Sequence, residues 1–372
     1  MMIPRLGILC GGRSGEHEVS LRSAAGIYHA VDRSRFQPLL VGITKEGSWQ
    51  AGSAEDLLLE AHDPAKIRLR PEWPSVLPSG AQGRLELRPQ TGTEKALVLD
   101  VVLPIIHGTD GEDGALQGLL RMFGVPFVGA DVLGSSIGMD KDVMKRLMAY
   151  ADLPVARFAA FTSAEDAHAA FPRLSQELGL PLFVKPSALG SSVGVSKART
   201  EAEFREAVRA ALTFDEKVMV EASVPGRELE VSVLGNRHSR RWPPRASRVG
   251  EIIPRHEFYS YAAKYLDDNG AELKIPASLA EGVERRVQEL ALRAFHTLEC
   301  DGMARVDFFF LPDGRLMLNE INTLPGFTPI SMYPKLWEAS GVSYSALVTQ
   351  LVELALERHE RRTRLLRDFH PA

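Results

Sequence analysis

The sequence predicts an α/β fold at its N-terminal end and α+β character in the remainder. In the first part, the strand patterns "RLGILCGG" and "FQPLLVGIT" flank the helix pattern "VSLRSAAGIYHAV". Apolar strands that alternate with helices are typical of a parallel sheet covered on both faces. Towards the C-terminus, strands come first, and an amphipathic helix at 280–298 and a C-terminal helix at about 343–360 follow. A chain of 372 residues has room for two or three domains of roughly 150 residues each.

The first domain is predicted to span residues 1–134. Its third strand lies in "KALVLDVVLPIIHG", a nearly continuous apolar run, and its last strand lies in "GVPFVGA" at 124–130. The segment from about 50 to 93 is rich in proline and glycine and has weak periodicity. We therefore interpret that segment as an insertion.

Two further domains are predicted, one at 135–222 and one at 223–372. The central domain runs from the helix pattern "MDKDVMKRLMAYA" to the apolar strand and glycine–serine loop of "FVKPSALGSSVG". The last domain contains an aromatic loop at about 254–272, which is long enough to act as a lid. Tyrosines that pack on the surface are the alternative for this loop.

Composition excludes several classes of function. The chain has 45% hydrophobic and 25% charged residues, as globular proteins do, and its net charge of −4 gives no reason to expect nucleic acid or an anionic membrane as a partner. The longest apolar run, "ALVLDVVLPII", is about half a membrane span. Cys10 and Cys300 form no metal motif and no disulfide framework, and the N-terminus lacks a signal-peptide pattern. We therefore expect a cytoplasmic protein.

Residues 305–326, "RVDFFFLPDGRLMLNEINTLPG", have the pattern of a β-hairpin with polar residues at its open end. Apolar runs flank a Pro-Asp-Gly turn. Because side chains alternate between the two faces of a strand, a loop of two or four residues places four polar side chains on one face. The predicted pairs are Arg305–Asn322, Asp307–Glu320 and Leu311–Leu316. A loop of three residues would slip the register by one and scatter the polar side chains.

These four residues, Arg305, Asp307, Glu320 and Asn322, are called the hairpin tetrad below, and they indicate a metal site. Two opposed carboxylates repel each other unless a positive charge lies between them. Carboxylate and amide oxygens are the ligands that Mg²⁺ prefers, usually together with substrate phosphates. The alternative is a structural ion-pair cluster in which Arg305 neutralises both carboxylates.

The loop in "VKPSALGSSVG", 184–194, is a second candidate site. Lys185 ends an apolar strand just before glycines and serines, whose N–H groups and hydroxyls can hold phosphate oxygens while the lysine balances the charge. A plain flexible turn is the alternative. The P-loop pattern G-x-x-x-x-G-K-[ST] and the dinucleotide pattern G-x-G-x-x-G are both absent from the chain, which disfavours an oxidoreductase that uses a nicotinamide.

Charged residues also cluster beside two strands of the first domain. In "GGRSGEHEVS", 11–20, Glu16 precedes a helix, where it can receive an ammonium group or simply interact favourably with the helix N-terminus. The segment "IHGTDGEDGALQG", 106–118, follows the third strand, and open α/β sheets bind ligands at such strand ends. Its charged residues are His107, Asp110, Glu112 and Asp113.

Together these segments resemble the D-alanine–D-alanine ligases, which are members of the ATP-grasp superfamily. The matching motifs, in the family's order, are "LCGGRSGEHEVSL", "HGTDGEDGALQG", "GMDKDVMK", "FVKPSALGSSVGVSK", "YAAKYL", "GMARVDFFF" and "LNEINTLPGFTPISMYP". The resemblance implies an ATP-grasp fold with an N-terminal Rossmann-like (pre-ATP-grasp) parallel-sheet domain. It also implies ATP-dependent ligation of two D-alanine molecules through an acyl phosphate, for peptidoglycan precursor synthesis.

The resemblance further implies roles for individual residues. Catalytic roles are expected for Glu16, Ser191, Tyr265, Arg305 and Gly326. Substrate binding is expected from Val19, His107, Ser331 and Met332. Contacts to ATP are expected from Lys141, Lys185, Ser192, Glu221, Ala222, Val224, Glu228, Phe258, Lys264 and Phe309. Metal ligands are expected to be Asp307, Glu320 and Asn322, which would hold two Mg²⁺ (or Mn²⁺) ions, with ATP as co-substrate.

Alternatives within and outside the family remain open at this point. Tyr265 favours the dipeptide over D-alanyl-D-lactate in the resembled family, although D-serine or D-lactate as second substrate is the nearest competing function. Ala188 and Leu189 fill loop positions that are often charged in the family. A nucleotide-binding regulator without catalysis is disfavoured, because binding alone would not require the whole hairpin tetrad. The family also suggests a homodimer.

Overall fold

The computed structural model describes residues 3–61, 63, 66–91, 95–254 and 271–366. Its strands are β1 Arg5–Gly11, β2 Gln37–Ile43, β3 Trp49–Gly52, β4 Leu58–Leu59, β5 Arg68–Leu69, β6 Ser75–Ala81, β7 Arg84–Pro89, β8 Leu97–Leu99, β9 Val101–Pro104, β10 Phe158–Phe161, β11 Leu182–Pro186, β12 Ser196–Ala198, β13 Val218–Ala222, β14 Arg227–Gly235, β15 Arg245–Pro254, β16 Ala271–Lys274, β17 Gly302–Phe310 and β18 Leu316–Asn322. Its helices are α1 His17–Ala30, α2 Ala54–Leu57, α3 Ala115–Met122, α4 Val132–Met139, α5 Lys141–Tyr150, α6 Ala164–Leu178, α7 Glu201–Ala211, α8 Val283–Thr297, α9 Met332–Ala339 and α10 Tyr344–Thr363. None of the helices within these residues combines the length and apolar character needed to cross a bilayer.

The first sheet has seven strands in the order β8-β7-β6-β3-β2-β1-β9. Its β2-β1-β9 part is parallel, as predicted from the alternation of apolar strands and helices. The other strands pair antiparallel, and β6 and β7 come from the segment predicted as an insertion. They are joined at Gln82-Gly83, where both φ angles are positive (51° and 76°) as in a tight hairpin turn. The predicted strand at 124–130 forms only one parallel bridge, from Phe127 to Val102.

Two antiparallel sheets follow and confirm the predicted α+β character. One has the order β10-β13-β11-β12 and the other β16-β15-β14-β17-β18. They are called the second and the third sheet below, in that order. Helix α8 packs on the third sheet through the buried side chains of Val287, Ala291 and Phe295. Helices α9 and α10 instead bury Trp337 and Leu351 in the same core as Leu6 and Ile27 of the first sheet and α1. The end of the chain therefore packs against its beginning.

The loop between β17 and β18 differs from the prediction. The N–H of Leu311 donates to the carbonyl of Arg315 at 2.9 Å, so the loop has three residues. Phe310, and not Leu311, lies opposite Leu316. The predicted Leu311–Leu316 pair is therefore wrong, and a regular ladder continued from this loop would scatter the hairpin tetrad.

A β-bulge in β18 corrects the register beyond the loop. The partner residue changes from Leu318, opposite Phe308, to Glu320, opposite Asp307, and this leaves Asn319 as an extra residue. The bulge also switches faces: Leu318 is buried in the core under the sheet, whereas Glu320 lines a cavity on the other face. Bulges of this kind re-aim side chains next to functional sites. As a result, both polar pairs of the hairpin tetrad form as predicted, by a route that the sequence pattern did not indicate.

Helix α10 is fixed to the first domain by a buried arginine. Arg358 is 3% exposed, and it donates to the carbonyl oxygens of Phe127, at 2.7 Å, and Gly129. Burial lowers the pKa of Arg358 to about 10, so the side chain is still charged at neutral pH. The guanidinium thus supplies hydrogen bonds to the carbonyls of Phe127 and Gly129 in the protein interior.

We expect Arg358→Met to lower the free energy of unfolding by about 3 kcal/mol, because each buried carbonyl left without a donor costs roughly 1–3 kcal/mol. Arg361→Met is the matched control on the same helix, since Arg361 makes only a partly exposed pair with Glu357 at 3.4 Å. That control should change stability by less than about 0.5 kcal/mol. Urea denaturation measures both values, and equal effects of the two variants would contradict the anchoring role.

Candidate active site

A cavity of 480 Å³ lies where the first sheet, α1, the third sheet and the start of α9 meet. Its wall includes the entire hairpin tetrad, which β17 and β18 contribute from their cavity-facing side. Glu16 and His107 enter from the first domain, and Ser191 enters from the loop after β11. Three separate parts of the chain therefore contribute polar groups to one enclosed space.

Arg305 is held between two carboxylates. It donates to both oxygens of Asp307, at 2.8 and 2.7 Å, and its Nε is 2.9 Å from Oε2 of Glu230. Burial alone would lower the pKa of Arg305, but the charges of Asp307 and Glu230 outweigh burial and raise the pKa well above its usual range. Asn322 completes the contact by donating to Oδ2 of Asp307 at 3.1 Å. Arg305 is therefore a fixed, permanent cation at the wall of the cavity.

Glu320, the other carboxylate of the hairpin tetrad, faces Lys141. The Nζ of Lys141 is 3.6 Å from Oε2 of Glu320 and donates to the carbonyl of Leu189 at 2.6 Å. Lys141 is the first residue of α5, where Asp140 caps the helix by accepting from the N–H groups of Asp142 and Val143. The cap fixes the start of α5, and the lysine then links the loop after β11 to the hairpin.

The donor set of the hairpin tetrad fits a hard divalent cation that shares its ligands with a substrate. Asp307 and Glu320 lie directly opposite each other, and Asn322 follows two positions along β18, where its amide N–H donates to Asp307. Across the described ranges, no group of three or more His, Cys, Asp or Glu side chains forms a metal cage. Two carboxylates completed by phosphate oxygens and water are the usual arrangement for Mg²⁺. The ion-pair interpretation also holds for part of the tetrad, because Arg305 neutralises Asp307.

Lys185 contacts Glu221 at the base of the loop after β11. Glu221 is also 2.5 Å from Nζ of Lys145, a buried lysine that sequence reasoning missed. Burial alone would raise the pKa of Glu221, but the two lysines outweigh burial and lower the pKa to about 2. A signal for Lys145 was present, because it follows Lys141 by four residues and so lies on the same face of the helix.

Glu16 lies where β1 turns into α1 and accepts a hydrogen bond from Oγ of Ser191. The turn depends on Gly11, which has φ +88° and where a Cβ would lie 2.2 Å from the carbonyl oxygen of Ile43. Ser191 and Ser192 also adopt positive φ angles, 53° and 60°, which are uncommon for residues with a side chain. The first domain and the loop after β11 are thus joined directly through Glu16.

His107 is fully enclosed and has three polar neighbours. Its Nδ1 is 3.1 Å from the carbonyl of Leu324, so this nitrogen carries the proton, and its Nε2 is 3.2 Å from Oγ of Ser23. Glu112 lies 3.6 Å from Nδ1. Burial lowers the pKa of His107, but the hydrogen bond and charge of Glu112, together with the charge of Glu16, outweigh burial and raise it. For Glu112, an acid, burial acts in the opposite direction and raises the pKa.

The structure brings most of the predicted site residues together. Those that line the cavity are Glu16, Val19, His107, Ser191, Glu228, Arg305, Asp307, Phe309, Glu320, Asn322, Gly326, Ser331 and Met332. Those that the structure describes outside its lining are Lys141, Lys185, Ser192, Glu221, Ala222 and Val224. Phe258, Lys264 and Tyr265 lie outside the described residues.

Glu230 is a second residue that sequence reasoning missed. It lies on β14 opposite Asp307 and is buried beside Arg305. The motif "RELEVSV" carried a signal, because a glutamate inside an otherwise apolar strand needs a buried cation as partner. That partner, Arg305, belongs to β17 and lies opposite Ser232, two positions along β14 from Glu230.

We expect Glu112→Gln to lower the pKa of His107 from its raised position, because burial is then opposed only by the charge of Glu16 and the contact with the carbonyl of Leu324. In the unaltered protein the raised pKa adds stability below pH 6.5 that is lost as pH rises through the folded-state pKa, and the variant should lose this dependence. An NMR titration of the imidazole ring protons measures the change. Asp110→Asn, at an exposed carboxylate that pairs with Arg13, should leave the titration unaltered, and an unchanged pKa in Glu112→Gln would show that the pair does not control it.

Comparison with known proteins connects this geometry to a family. The family model for the D-ala D-ala ligase N-terminus matches residues 5–130, and the model for the D-ala D-ala ligase C-terminus matches residues 147–353. The D-alanine–D-alanine ligase of Shouchella clausii is 52% identical over 362 residues, which cover 96% of each chain. D-alanine–D-alanine ligase A of Escherichia coli K12 is 49% identical over 355 residues, which cover 95% of this chain and 96% of the relative.

Solved structures agree with these sequence matches. The D-alanine-D-alanine ligase from Coxiella burnetii has a TM-score of 0.85 and 35% identity, and the match covers 98% of this chain and 97% of that structure. The VanG D-Ala:D-Ser ligase from Enterococcus faecalis has a TM-score of 0.80 and 32% identity, with 95% and 100% coverage.

Proposed function

The chain belongs to the D-alanine–D-alanine ligase family, which has the ATP-grasp fold, and we propose that it joins two D-alanine molecules to D-alanyl-D-alanine with ATP. It is an ATP-dependent ligase, and its product serves peptidoglycan synthesis. The observation that carries this conclusion is an identity of about one half with D-alanine–D-alanine ligases over nearly the whole chain.

The chemistry has to overcome the crowding of negative charge. The carboxylate of the first D-alanine attacks the γ-phosphorus of ATP, so that an acyl phosphate forms and ADP leaves. The amine of the second D-alanine then attacks the acyl carbon and gives a tetrahedral oxyanion. Collapse of this oxyanion expels phosphate, and the amine loses its proton as the peptide bond forms. Both steps need fixed positive charge at the reacting groups.

Arg305 and the backbone N–H of Gly326 are proposed to hold the tetrahedral oxyanion. Both residues line the cavity, and Asp307 and Glu230 keep Arg305 charged and in place before substrate arrives. A preorganised donor of this kind contributes on the order of 3 kcal/mol to a transition state in other enzymes.

Asp307, Glu320 and Asn322 are proposed to hold Mg²⁺ (or Mn²⁺), as two ions. When bound, the metal supplies positive charge that stabilises the transferring phosphoryl group. The register that sets Asp307 opposite Glu320, with both residues and Asn322 in the cavity lining, supports this assignment. Lys141, 3.6 Å from Glu320, is proposed to contact the phosphates, together with Lys185 and Lys264.

The substrates are proposed to bind at opposite ends of the cavity. Glu16 receives the ammonium group of the first D-alanine, with Val19 and His107 nearby, and Ser191 orients Glu16 by its hydrogen bond. Ser331 and the N–H of Met332 receive the carboxylate of the second D-alanine at the start of α9, where the helix N-terminus favours an anion. Adenine and ribose contacts are proposed for Ser192, Glu221, Ala222, Val224, Glu228, Phe258 and Phe309. Tyr265 would join Ser191 and Glu16 in closing the site against water.

A cytoplasmic location and a homodimer are further parts of the proposal. Cys10 and Cys300 are both free and buried, which agrees with a reducing compartment. D-Serine is the second substrate to be tested against D-alanine, because a D-Ala:D-Ser ligase is among the structural relatives.

We expect phosphate release from ATP with D-alanine and a divalent metal, and none above background with L-alanine, because the relatives that the chain matches are ligases of the D-enantiomer. Mixtures of D-alanine with D-serine or D-lactate should yield D-alanyl-D-alanine as the main product by mass spectrometry. An absence of turnover with D-alanine alone would sink the proposed function, and a predominant mixed product would reassign the second substrate.

We expect Asp307→Asn and Glu320→Gln each to lower turnover by at least about a hundredfold at low Mg²⁺, because each loses a charged ligand at the phosphoryl group. Stability should change far less, by roughly 1–2 kcal/mol in urea denaturation. Asp313→Asn is the matched control: Asp313 lies at the other end of the same hairpin in an exposed pair with Arg315. Near-normal turnover of either site variant at low Mg²⁺ would show that the metal assignment is wrong.

A further inference from the structure

Lys145 is a buried cation that the proposed mechanism does not use. It lies on α5, one turn after Lys141, and its side chain is 1% exposed. Its Nζ is 2.5 Å from Oε1 of Glu221, while Lys185 holds Oε2 of the same carboxylate. Burial lowers the pKa of Lys145, and the charge of Glu221 opposes that shift, so the lysine depends on this carboxylate to stay protonated.

The second sheet brings Glu221 and Lys185 together. β11 and β13 are antiparallel, and Glu221 lies opposite Phe183, so Lys185 is its diagonal neighbour on the same face. Lys145 contacts Glu221 from α5, which is not part of the second sheet. Two lysines therefore share one carboxylate, and this triad of Lys145, Glu221 and Lys185 carries a net charge of +1 beside the loop after β11.

The two lysines of the triad differ in how they are enclosed. Lys185 is the last residue but one of β11, just before the loop proposed to hold the phosphates of ATP, and its side chain is 10% exposed, against 1% for Lys145. To contact a phosphate, Lys185 has to turn away from Glu221. A buried carboxylate that loses its partner is strongly destabilised, so this movement requires a second cation that stays at Glu221.

We propose that Lys145 is a positioning residue for ATP: it keeps Glu221 neutralised while Lys185 moves from Glu221 to a phosphate of the nucleotide. The inference rests on the proposed ATP site and adds a residue to it. Lys185 contacts the nucleotide, and Lys145 remains paired with Glu221, the carboxylate that Lys185 leaves.

The protonation of Glu221 distinguishes this role from simple packing. The charged groups that face Glu221 within the described residues are Lys145 and Lys185, and Glu320 is a further charge that acts on Lys145. With both lysines present the pKa of Glu221 is about 2, so Glu221 takes up no proton near neutral pH. If Lys145 is absent and Lys185 has moved to the phosphate, Glu221 has no cation and takes up a proton instead.

The test is the binding of Mg²⁺-ADP and of adenosine to Lys145→Met by isothermal titration calorimetry. At pH 8 the variant should bind ADP at least about tenfold more weakly than the unaltered protein, and the difference should shrink as pH falls. Titrations in buffers of different ionisation enthalpy should show proton uptake on ADP binding that the unaltered protein lacks. Adenosine has no phosphate to draw Lys185 away, so both proteins should bind it equally.

Three variants control the result. Lys145→Arg keeps the charge and should restore most of the ADP affinity. Arg358→Met removes a different buried cation, whose hydrogen bonds go to the carbonyls of Phe127 and Gly129, and it should lose stability without losing ADP affinity. Glu221→Gln should bind ADP within about twofold of the double variant Lys145→Met/Glu221→Gln, because a neutral residue 221 no longer needs Lys145.

Several outcomes would overturn the inference: equal losses of ADP and adenosine affinity, no proton uptake in Lys145→Met, or a double variant much weaker than Glu221→Gln. The last comparison decides the question even where Lys145→Met alone does not fold. Binding needs no turnover, so the two proposals fail separately. An unaltered protein that binds ADP but releases no phosphate with D-alanine contradicts the proposed function only, whereas normal turnover with an unaffected Lys145→Met contradicts this inference only.

Discussion

Asp307 and Glu320 face each other across β17 and β18, and the repulsion between these two carboxylates is the constraint around which the site is organised. Each of them has its own cation: Arg305 contacts Asp307, and Lys141 faces Glu320. Arg305 belongs to the third sheet itself, whereas Lys141 belongs to α5, so the contact between Lys141 and Glu320 links α5 to the third sheet. A site that must collect several phosphates has to contain matched charges before the substrate arrives, because unpaired charges of one sign would oppose folding.

Buried carboxylates hold several of the positively charged side chains of the site in place. Glu230 and Glu221 are both buried acids that hold basic side chains in place: Glu230 holds Arg305, and Glu221 holds Lys145 and Lys185. In the same way, Glu112 lies 3.6 Å from the imidazole of His107. In each case a carboxylate stabilises a cation in a position that solvent alone would not maintain. Preorganisation of this kind lowers the cost of assembling the site when ligands bind.

The sequence predicted the fold class and the members of the hairpin tetrad because both depend on short-range patterns and recognisable motifs. It predicted the wrong loop, since Pro-Asp-Gly fits loops of several lengths, and it did not predict the bulge at Asn319. At that point the N–H of Leu318 bonds to the carbonyl of Pro154, a residue far away in the sequence, so no local pattern could indicate it. Glu230 and Lys145 were missed for a related reason: their partners are brought close only by sheet pairing and helix docking, although their charge in apolar surroundings was visible.

The packing of α10 against α1 and the first sheet has a consequence for the order in which the molecule can be completed on the ribosome. Leu6 and Ile27 share a core with Trp337 and Leu351, so the first domain cannot bury its apolar face until almost the whole chain has been synthesised. The earliest residues to leave the ribosome must wait for the last ones before this core is complete. A chain that stops before α10 therefore leaves apolar side chains of the first sheet and α1 without their partners.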